Sequence, residues 1–203
     1  MDDPRKHAPA TLRNRDAILA VLSPLLVQQK LVLEIASGSG EHVVHFAAAL
    51  AEVTFQPSDP DTENRASIDA WAAHAGLLNI QPAMALDATA EPWTVSSVDA
   101  VLCMNMIHIS PWSATIGLLR NASQALVPGG MLFLYGPYKR DGEHTAPSNA
   151  AFDLDLRARN SEWGIRNLEM VAAEAERLGF GAPEIVQMPA NNLSVVLRTR
   201  QNK

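Results

Sequence analysis

Two apolar segments at the end of the chain constrain its fold more than any other feature. They cover residues 184–188 and 193–199, and only Pro189-Ala190-Asn191-Asn192 separates them. Each segment has the length and apolar content of a β-strand. Parallel strands need a connection of a dozen or more residues, so these two strands must be antiparallel.

Ahead of this pair, short apolar runs alternate with amphipathic helical patterns. A helix is expected over 11–22 and should be interrupted at Ser23-Pro24, because proline disfavours helical geometry in the residue before it. Strands are expected at 31–35, 53–58, 83–86, 100–104 and 131–135, with helices between most of them. This alternation predicts an α/β fold with a seven-stranded, mostly parallel sheet, one antiparallel strand and helices on both faces.

The composition narrows the class of protein further. The chain has 203 residues, of which 47% are hydrophobic, enough for one sizeable core. We therefore expect a single domain over 1–203. The net charge of −6 disfavours a nucleic-acid partner, because an acidic surface repels phosphates. No apolar run approaches the roughly 20 residues of a membrane helix. The single cysteine, Cys103, excludes an internal disulfide framework, and we expect a cytoplasmic protein with no membrane association.

Residues at the carboxyl ends of the predicted strands are the candidate binding residues, because ligands of open α/β sheets bind there. The first strand carries Glu34 near its end and leads into a turn that contains Ala36, Gly38 and Gly40. The third glycine of the dinucleotide fingerprint is absent, since that position is Val43, and this disfavours a nicotinamide cofactor. The turn resembles the first motif of S-adenosylmethionine (SAM)-dependent methyltransferases. In that motif the acidic residue would orient the methionine ammonium, and the turn would leave room for the cofactor's amino-acid portion.

The second strand ends near two aspartates that compete for one role. Asp59 lies 19 residues after Gly40, a spacing at which an acidic side chain accepts hydrogen bonds from ribose hydroxyls. Asp61 is the alternative, since Asp59-Pro60-Asp61 also fits a turn with Asp61 as the N-cap of the next helix. We favour Asp59, because the ribose should bind at the end of the strand, before the helix begins.

The next two strand ends complete the expected cofactor site. Asp87 and Ala88 follow the third strand and resemble the motif that contacts the adenine amino group, although a solvated loop aspartate is the simpler alternative. Asn105, after the fourth strand, resembles motif four of small-molecule methyltransferases and would lie beneath the methionine moiety. His42 is expected to close the cofactor loop. A metal site at His42, His45 and the adjacent Glu41 is disfavoured, and we predict no metal.

His108 and Tyr138 are the candidate catalytic residues. His108 follows the fourth strand, and the ordinary histidine pKa near 6.5 suits removal of a proton from an acceptor oxygen, nitrogen or sulfur. The alternative is a histidine that caps the next helix or packs beside Trp112. No base is strictly required, because positioning alone can contribute roughly 7–11 kcal/mol to methyl transfer.

Several segments, spread over nearly the whole chain, together resemble one family. They are 7–10, 13–14, 34–42, 55–59, 136–138, 149–153 and 163–166. The resemblance is to domain of unknown function 938, which includes the methyltransferase-like 26 proteins. It implies a Rossmann-like class I methyltransferase fold with SAM as the cofactor, and it implies no particular substrate.

Two polar segments are expected to build the acceptor site. Residues 1–25 would form an N-terminal helix and lid, and 136–166 a substrate-side insertion. The candidate substrate-binding residues are Arg13, Asn14, Tyr135, Tyr138 and Asn149. The insertion also concentrates Lys139, Arg140, His144 and Arg157, which suit a small polar or anionic acceptor. An ordinary solvated loop is the alternative.

Three functions remain open from the sequence. The leading one is a SAM-dependent methyltransferase, monomeric or homodimeric, that methylates a small molecule at oxygen, nitrogen or sulfur by in-line displacement. The second is a binding module that retains SAM without catalysis. Asp59 and Asp87 would serve both, so only turnover separates them. The third, a nicotinamide-dependent oxidoreductase, is disfavoured by Val43 and by the antiparallel ending.

Overall fold

The computed structural model describes residues 3–90 and 92–200. Its contacts group the chain into two compact units. The first unit ends at Asp87 and also includes Val98–Cys103, whereas the second comprises Ala88–Ser97 and the chain from Met104 onward. The expected single domain over 1–203 stays a prediction.

The first unit alternates helices with parallel strands. Its elements are α1 (Pro9–Leu26), β1 (Leu31–Ile35), α2 (Glu41–Ala49), β2 (Thr54–Pro57), α3 (Thr62–Ala75) and β3 (Val98–Met104). The strands lie in the order β2-β1-β3, and β1 pairs in parallel with both neighbours. Side chains such as Leu33, Phe46, Phe55 and Ile68 are fully buried in this unit. The strand, glycine turn and helix expected after residue 31 are confirmed.

Helix α1 continues through Pro24, so the expected interruption there is wrong. Pro24 has no N–H to donate, but it lies in the last turn, where it removes a single backbone bond. Leu26, one turn after Leu22, is fully buried, and burial of such a side chain contributes about 1.5–3 kcal/mol. The Val27 N–H also donates to the Ser23 carbonyl at 3.1 Å. Packing therefore offsets the missing bond.

The expected strand over 83–86 is also wrong, and its segment makes only isolated bridges. Ile80 bridges Phe55, and Met84 bridges Ser58. Between these bridges β2 contains Pro57, which has no N–H, so a continuous ladder cannot form. The main sheet accordingly has six strands instead of seven.

The second unit contains the antiparallel ending. Its elements are a 3₁₀ turn (Met106–His108), α4 (Trp112–Ala125), β4 (Leu126–Pro137), β5 (Lys139–Arg140), β6 (Glu143–His144), α5 (Pro147–Arg159), α6 (Leu168–Arg177), β7 (Glu184–Met188) and β8 (Asn192–Arg198). The order is β4-β8-β7, and β8 is antiparallel to both neighbours. The antiparallel ending is thus confirmed, with β8 as the one antiparallel strand.

The polar insertion 136–166 is more ordered than its sequence pattern indicates. Strands β5 and β6 form a two-stranded hairpin, with Lys139 opposite His144. Helix α5 then extends over Pro147–Arg159. In the described part of the chain, no helix combines the length and apolar character needed to cross a membrane.

Candidate functional site

The turn after β1 adopts a backbone that few residues tolerate. Ala36, Gly38 and Gly40 have φ values of 53°, 59° and 90°. Such left-handed geometry is unusual for alanine and often marks a functional turn. A Cβ at Gly40 would lie 2.7 Å from the Cα of Ile68, so glycine there lets α2 pack closely against α3. A Cβ at Gly38 would come no nearer than 4.0 Å to the Ala36 carbonyl, which leaves the space beside Gly38 open.

Glu34, near the end of β1, is the most unusual charged residue of the first unit. Its side chain is fully buried, and neither carboxylate oxygen has a hydrogen-bond partner among the described residues. Burial raises the pKa of Glu34 to about 8 against the opposing effect of the Ser37 side chain, and the negative charge of Asp59 adds to the rise. An unpaired buried acid costs stability, so such a group usually has a ligand or a functional reason.

Asp59 lies after β2 and is held in one orientation by three donors. One carboxylate oxygen accepts from the Gly38 N–H at 3.0 Å. The other accepts from the Asp61 N–H at 3.0 Å and from the side-chain amide of Asn64 at 3.1 Å. Asp61 itself is exposed and caps α3, accepting from the Glu63 N–H at 2.7 Å. The two aspartates therefore differ in surroundings, and the role of Asp59 at a ribose stays a prediction.

The N-terminal segment is anchored to the start of α2. The Ala8 N–H donates to the Glu41 carboxylate at 2.6 Å, and His42 bonds the Asn14 side-chain oxygen at 2.9 Å. Burial lowers the pKa of His42 to about 4, so the ring is neutral and donates to Asn14. Arg13 is exposed. The proposed lid and the loop-closing role of His42 stay predictions.

The remaining expected cofactor residues lie in loops. Asp87 is exposed, whereas Ala88 is buried and its carbonyl accepts from Asn121 at 3.3 Å. A Cβ at Gly117 would lie 2.5 Å from the Ala88 oxygen, so glycine at this point of α4 allows the close approach. These contacts explain the burial of Ala88 without a ligand.

Four expected site residues meet in the second unit. Asn105, with a left-handed φ of 62°, donates its N–H to the Tyr135 carbonyl at 2.8 Å. A Cβ at Gly136 would lie 2.6 Å from Nε2 of His108 and 3.4 Å from the side-chain oxygen of Asn105. The His108 ring contacts the ring of Tyr138 edge to face, with centroids 5.1 Å apart. The candidate catalytic and acceptor residues after β3 and β4 are therefore neighbours.

The surroundings of His108 determine what its ring offers. The residue is fully buried, and its Nδ1 accepts from the Arg166 N–H at 3.3 Å. Burial, followed by the charge of Arg166, lowers the pKa of His108 to about 3. The neutral ring must then carry its proton on Nε2, which has no partner among the described residues. At neutral pH the ring thus presents a hydrogen-bond donor, and its role as a base stays a prediction.

Asn149 has a structural contact that the sequence did not indicate. Its amide donates to the Thr145 hydroxyl at 3.1 Å and to the Asn191 carbonyl at 3.0 Å. These bonds tie the start of α5 to the turn before β8. The expected contact of Asn149 with substrate stays a prediction.

A charged cluster around Asp153 was not foreseen as a unit. Its buried carboxylate contacts Lys139 at 3.1 Å, Arg157 at 3.2 Å and His144 at 3.3 Å. It also accepts from the Ile165 N–H at 2.7 Å, and the pKa of Asp153 is lowered because this bond and the nearby cations outweigh its burial. Only the spacing of Asp153 and Arg157, four residues apart on a helix, signalled the pair in advance.

The histidines do not gather into a metal site. His42 is bonded to Asn14, and His45 is paired with Asp16 at 2.9 Å. Over residues 3–90 and 92–200, no three His, Cys, Asp or Glu side chains come together in a way that could hold a metal ion.

Comparison with a family model places the chain. The model described as "Protein of unknown function (DUF938)" matches residues 5–199. The chain belongs to the DUF938 family. This confirms the resemblance stated from the sequence, although the family's description assigns no activity.

Solved structures that are similar in fold to this DUF938 protein include methyltransferases. SibL, in its apo form, matches with a TM-score of 0.80 at 20% identity over 95% of this chain and 56% of its own. An O-methyltransferase family protein from Burkholderia thailandensis gives 0.82 at 16%, over 96% and 58%. Human N-acetylserotonin methyltransferase in complex with SAM gives 0.78 at 13%, over 95% and 53%. The chain spans little more than half the length of these proteins, and the likeness confirms a Rossmann-like class I methyltransferase fold.

Proposed function

We propose that this DUF938 protein is a SAM-dependent methyltransferase that methylates a small molecule at oxygen, nitrogen or sulfur by in-line displacement. The observation that carries the proposal is the buried, unpartnered carboxyl group of Glu34 beside the open turn at Gly38. The methionine part of SAM carries an ammonium group, which is the partner that such an acid requires. The methyltransferase fold makes this cofactor the natural candidate.

Asp59 supports the same assignment through its geometry. Three N–H donors hold its carboxylate, yet an ionised carboxylate has about four acceptor positions. Asp59 therefore retains capacity for a hydroxyl donor, as expected of a ribose-binding residue. One of these donors is the Gly38 N–H, so the same hydrogen bond also fixes the backbone of the turn after β1.

SAM would supply an activated methyl group on a sulfonium, so the protein's main task is to position the acceptor. We assign this task to His108 and Tyr138, with His108 donating a hydrogen bond from Nε2. Since the Arg166 N–H occupies Nδ1, the ring has one defined orientation. A neutral donor in a fixed orientation can align an acceptor without taking its proton.

Calorimetric titration of the full chain with SAM tests the cofactor assignment. We expect the wild type to bind SAM and Glu34→Gln to bind it at least about tenfold more weakly, since one charged contact contributes about 1.4 kcal/mol or more. Glu52→Gln is the matched control, because Glu52 is exposed and the change of side chain is identical. Binding of NADH without binding of SAM would refute the proposal in favour of an oxidoreductase.

Turnover separates an enzyme from a binding module. The measurement is release of S-adenosylhomocysteine when the protein and SAM are incubated with pools of small-molecule acceptors. We expect release that depends on a particular pool and is lowered in Glu34→Gln but not in Glu52→Gln. Tight SAM binding with no release from any pool would favour the binding module.

A further inference from the structure

A cavity of about 450 Å³ in the second unit is lined by an unusual concentration of cations. Lys139, Arg157 and Arg166 all line it, together with Trp112 and Asn167. The whole chain carries a net charge of −6, so a cationic cavity runs against the overall composition. Its residues come from five different parts of the chain, so it is not a charge run along one helix. These parts are α4, the β5–β6 hairpin, α5, the loop before α6 and α6 itself.

The ion pairs within this cavity do not neutralise all of its positive charge. Asp153 is the single carboxylate shared by Lys139 and Arg157. Arg166 forms no ion pair within the described residues, because its guanidinium donates to the backbone carbonyls of Ile107, Ser110 and Glu162. Carbonyl groups carry no net charge, so three cations face one carboxylate.

The neighbouring acidic residue does not neutralise this excess. Glu169, in the first turn of α6, is paired with Arg140 at 3.0 Å and accepts from the Asp141 N–H at 3.1 Å. That pair is neutral by itself. His144, the other group in contact with Asp153, adds further positive charge when it is protonated.

The two arginines also act on each other. Burial and then the charge of Arg157 lower the pKa of Arg166, and the charge of Asp153 acts in the opposite direction. A Cβ at Gly164 would lie 2.9 Å from Nη2 of Arg157, so glycine lets the loop before Arg166 approach that guanidinium. An anion between the two side chains would relieve the repulsion. Asn167, the N-cap of α6, makes no capping bond, so the positive end of this helix adds to the same field.

We propose that this cavity binds a carboxylate or phosphate group and that the group belongs to the methyl acceptor. The second half of the proposal rests on the proposed function. Its structural support is adjacency, because the Arg166 N–H donates to His108 and Lys139 follows Tyr138 in the chain. An anionic end held by the arginines would keep the rest of a small acceptor beside these two rings.

The anion site is tested on the full chain without SAM. Inorganic phosphate and malonate are titrated separately at constant ionic strength, and binding is followed by NMR at the indole N–H of Trp112. We expect saturable binding that Arg157→Gln weakens by about tenfold or more, as loss of one charge-assisted contact predicts. Arg159→Gln is the matched control from the same helix, since Arg159 does not line the cavity and its ion pair with Asp155 is long, at 3.8 Å. The anion that binds more tightly, phosphate or malonate, shows whether the cavity recognises a phosphate or a carboxylate group.

The results of these titrations decide the inference. If neither anion shifts the wild-type Trp112 signal, or if Arg157→Gln and Arg159→Gln weaken binding equally, the site is refuted. If Arg157→Gln fails to fold, Lys139→Gln replaces it with the same expected loss. If the anion binds but SAM does not, the cavity stands and the methyltransferase proposal fails. If both bind, acceptors that lack the charged group should show KM raised at least about tenfold with little change in kcat.

Discussion

Glu34 should make the stability of the ligand-free protein fall as pH rises. The pKa of this fully buried acid is raised from 4.5 to about 8, and the first cause is burial. Between these two values the folded protein holds a proton that the unfolded chain has lost, so increasing pH favours unfolding. Below about pH 4.5 both states are protonated, and above about pH 8 both are ionised. The cost is therefore absent in acid and complete above pH 8.

The magnitude follows from the size of the shift. A difference of roughly 3.5 pKa units corresponds to an upper limit of about 5 kcal/mol, acquired at no more than about 1.4 kcal/mol per pH unit. Glutamine has nearly the same shape and cannot ionise. The substitution Glu34→Gln should thus be nearly neutral at pH 5 and stabilising by several kcal/mol at pH 8.

Urea denaturation at pH 5, 6, 7, 8 and 9 measures this difference directly. The curves of the wild type, Glu34→Gln and the exposed control Glu52→Gln are compared at each pH. A stabilisation by Glu34→Gln that does not change with pH would refute the reasoning, since it would show that Glu34 does not titrate in this range. Saturating SAM should flatten the wild-type dependence, because an ammonium beside the carboxylate lowers its pKa.

Three further substitutions test other parts of the structure. Gly40→Ala should lower the free energy of unfolding by about 2–5 kcal/mol, because alanine is strained in the left-handed conformation and its Cβ clashes with α3. Gly76→Ala is the control, since a Cβ there meets no neighbour, and it should lower the free energy of unfolding by only about 1–2 kcal/mol. Thermal melts measure both. Gly136→Ala should displace the His108 ring and lower methyl transfer at least about tenfold while SAM binding is retained. Asp153→Asn should destabilise the protein by about 1–3 kcal/mol at neutral pH, because the buried side chain loses its charge-assisted bonds to the half-buried Lys139 and to the Ile165 N–H.

Each of these predictions has an outcome that contradicts it. Equal losses in Gly40→Ala and Gly76→Ala would show that the clash with α3 relaxes freely. Unchanged turnover in Gly136→Ala would remove His108 from the acceptor site. The pKa of Asp153 is lowered, so its contribution is present above its ordinary pKa of 3.8 and is lost as pH falls below it. A deficit in Asp153→Asn that does not shrink as pH falls below 3.8 would contradict the ion-pair explanation.

The local sequence pattern was sufficient to predict the turn after β1 and the antiparallel pair of strands at the end of the chain. Four residues between two strands permit only an antiparallel pair, whatever the rest of the molecule does. Likewise, a strand followed by glycines and an amphipathic stripe predicts a strand, turn and helix from local geometry alone. Glu34, Gly38 and Asp59 could therefore be selected as candidates before any coordinates were known.

Where neighbouring elements compete with local preference, the sequence pattern failed. Helix α1 passes Pro24 because Leu26 is buried, and the expected strand at 83–86 is reduced to bridges because Pro57, on the strand opposite, lacks an N–H. Neither effect is visible within the segment itself. Both depend on which residues the fold places alongside.

The sequence by itself determined the class of fold, the order of most elements and the identity of the residues in the turn after β1. Only the tertiary structure decided that the Glu34 carboxyl has no hydrogen-bond partner within residues 3–90 and 92–200, that His108 carries its proton on Nε2, and that Arg157 and Arg166 share one cavity. The physical reason is that periodicity and turn chemistry act over a few neighbouring residues. Desolvation, tautomer choice and uncompensated charge depend instead on side chains from distant parts of the chain.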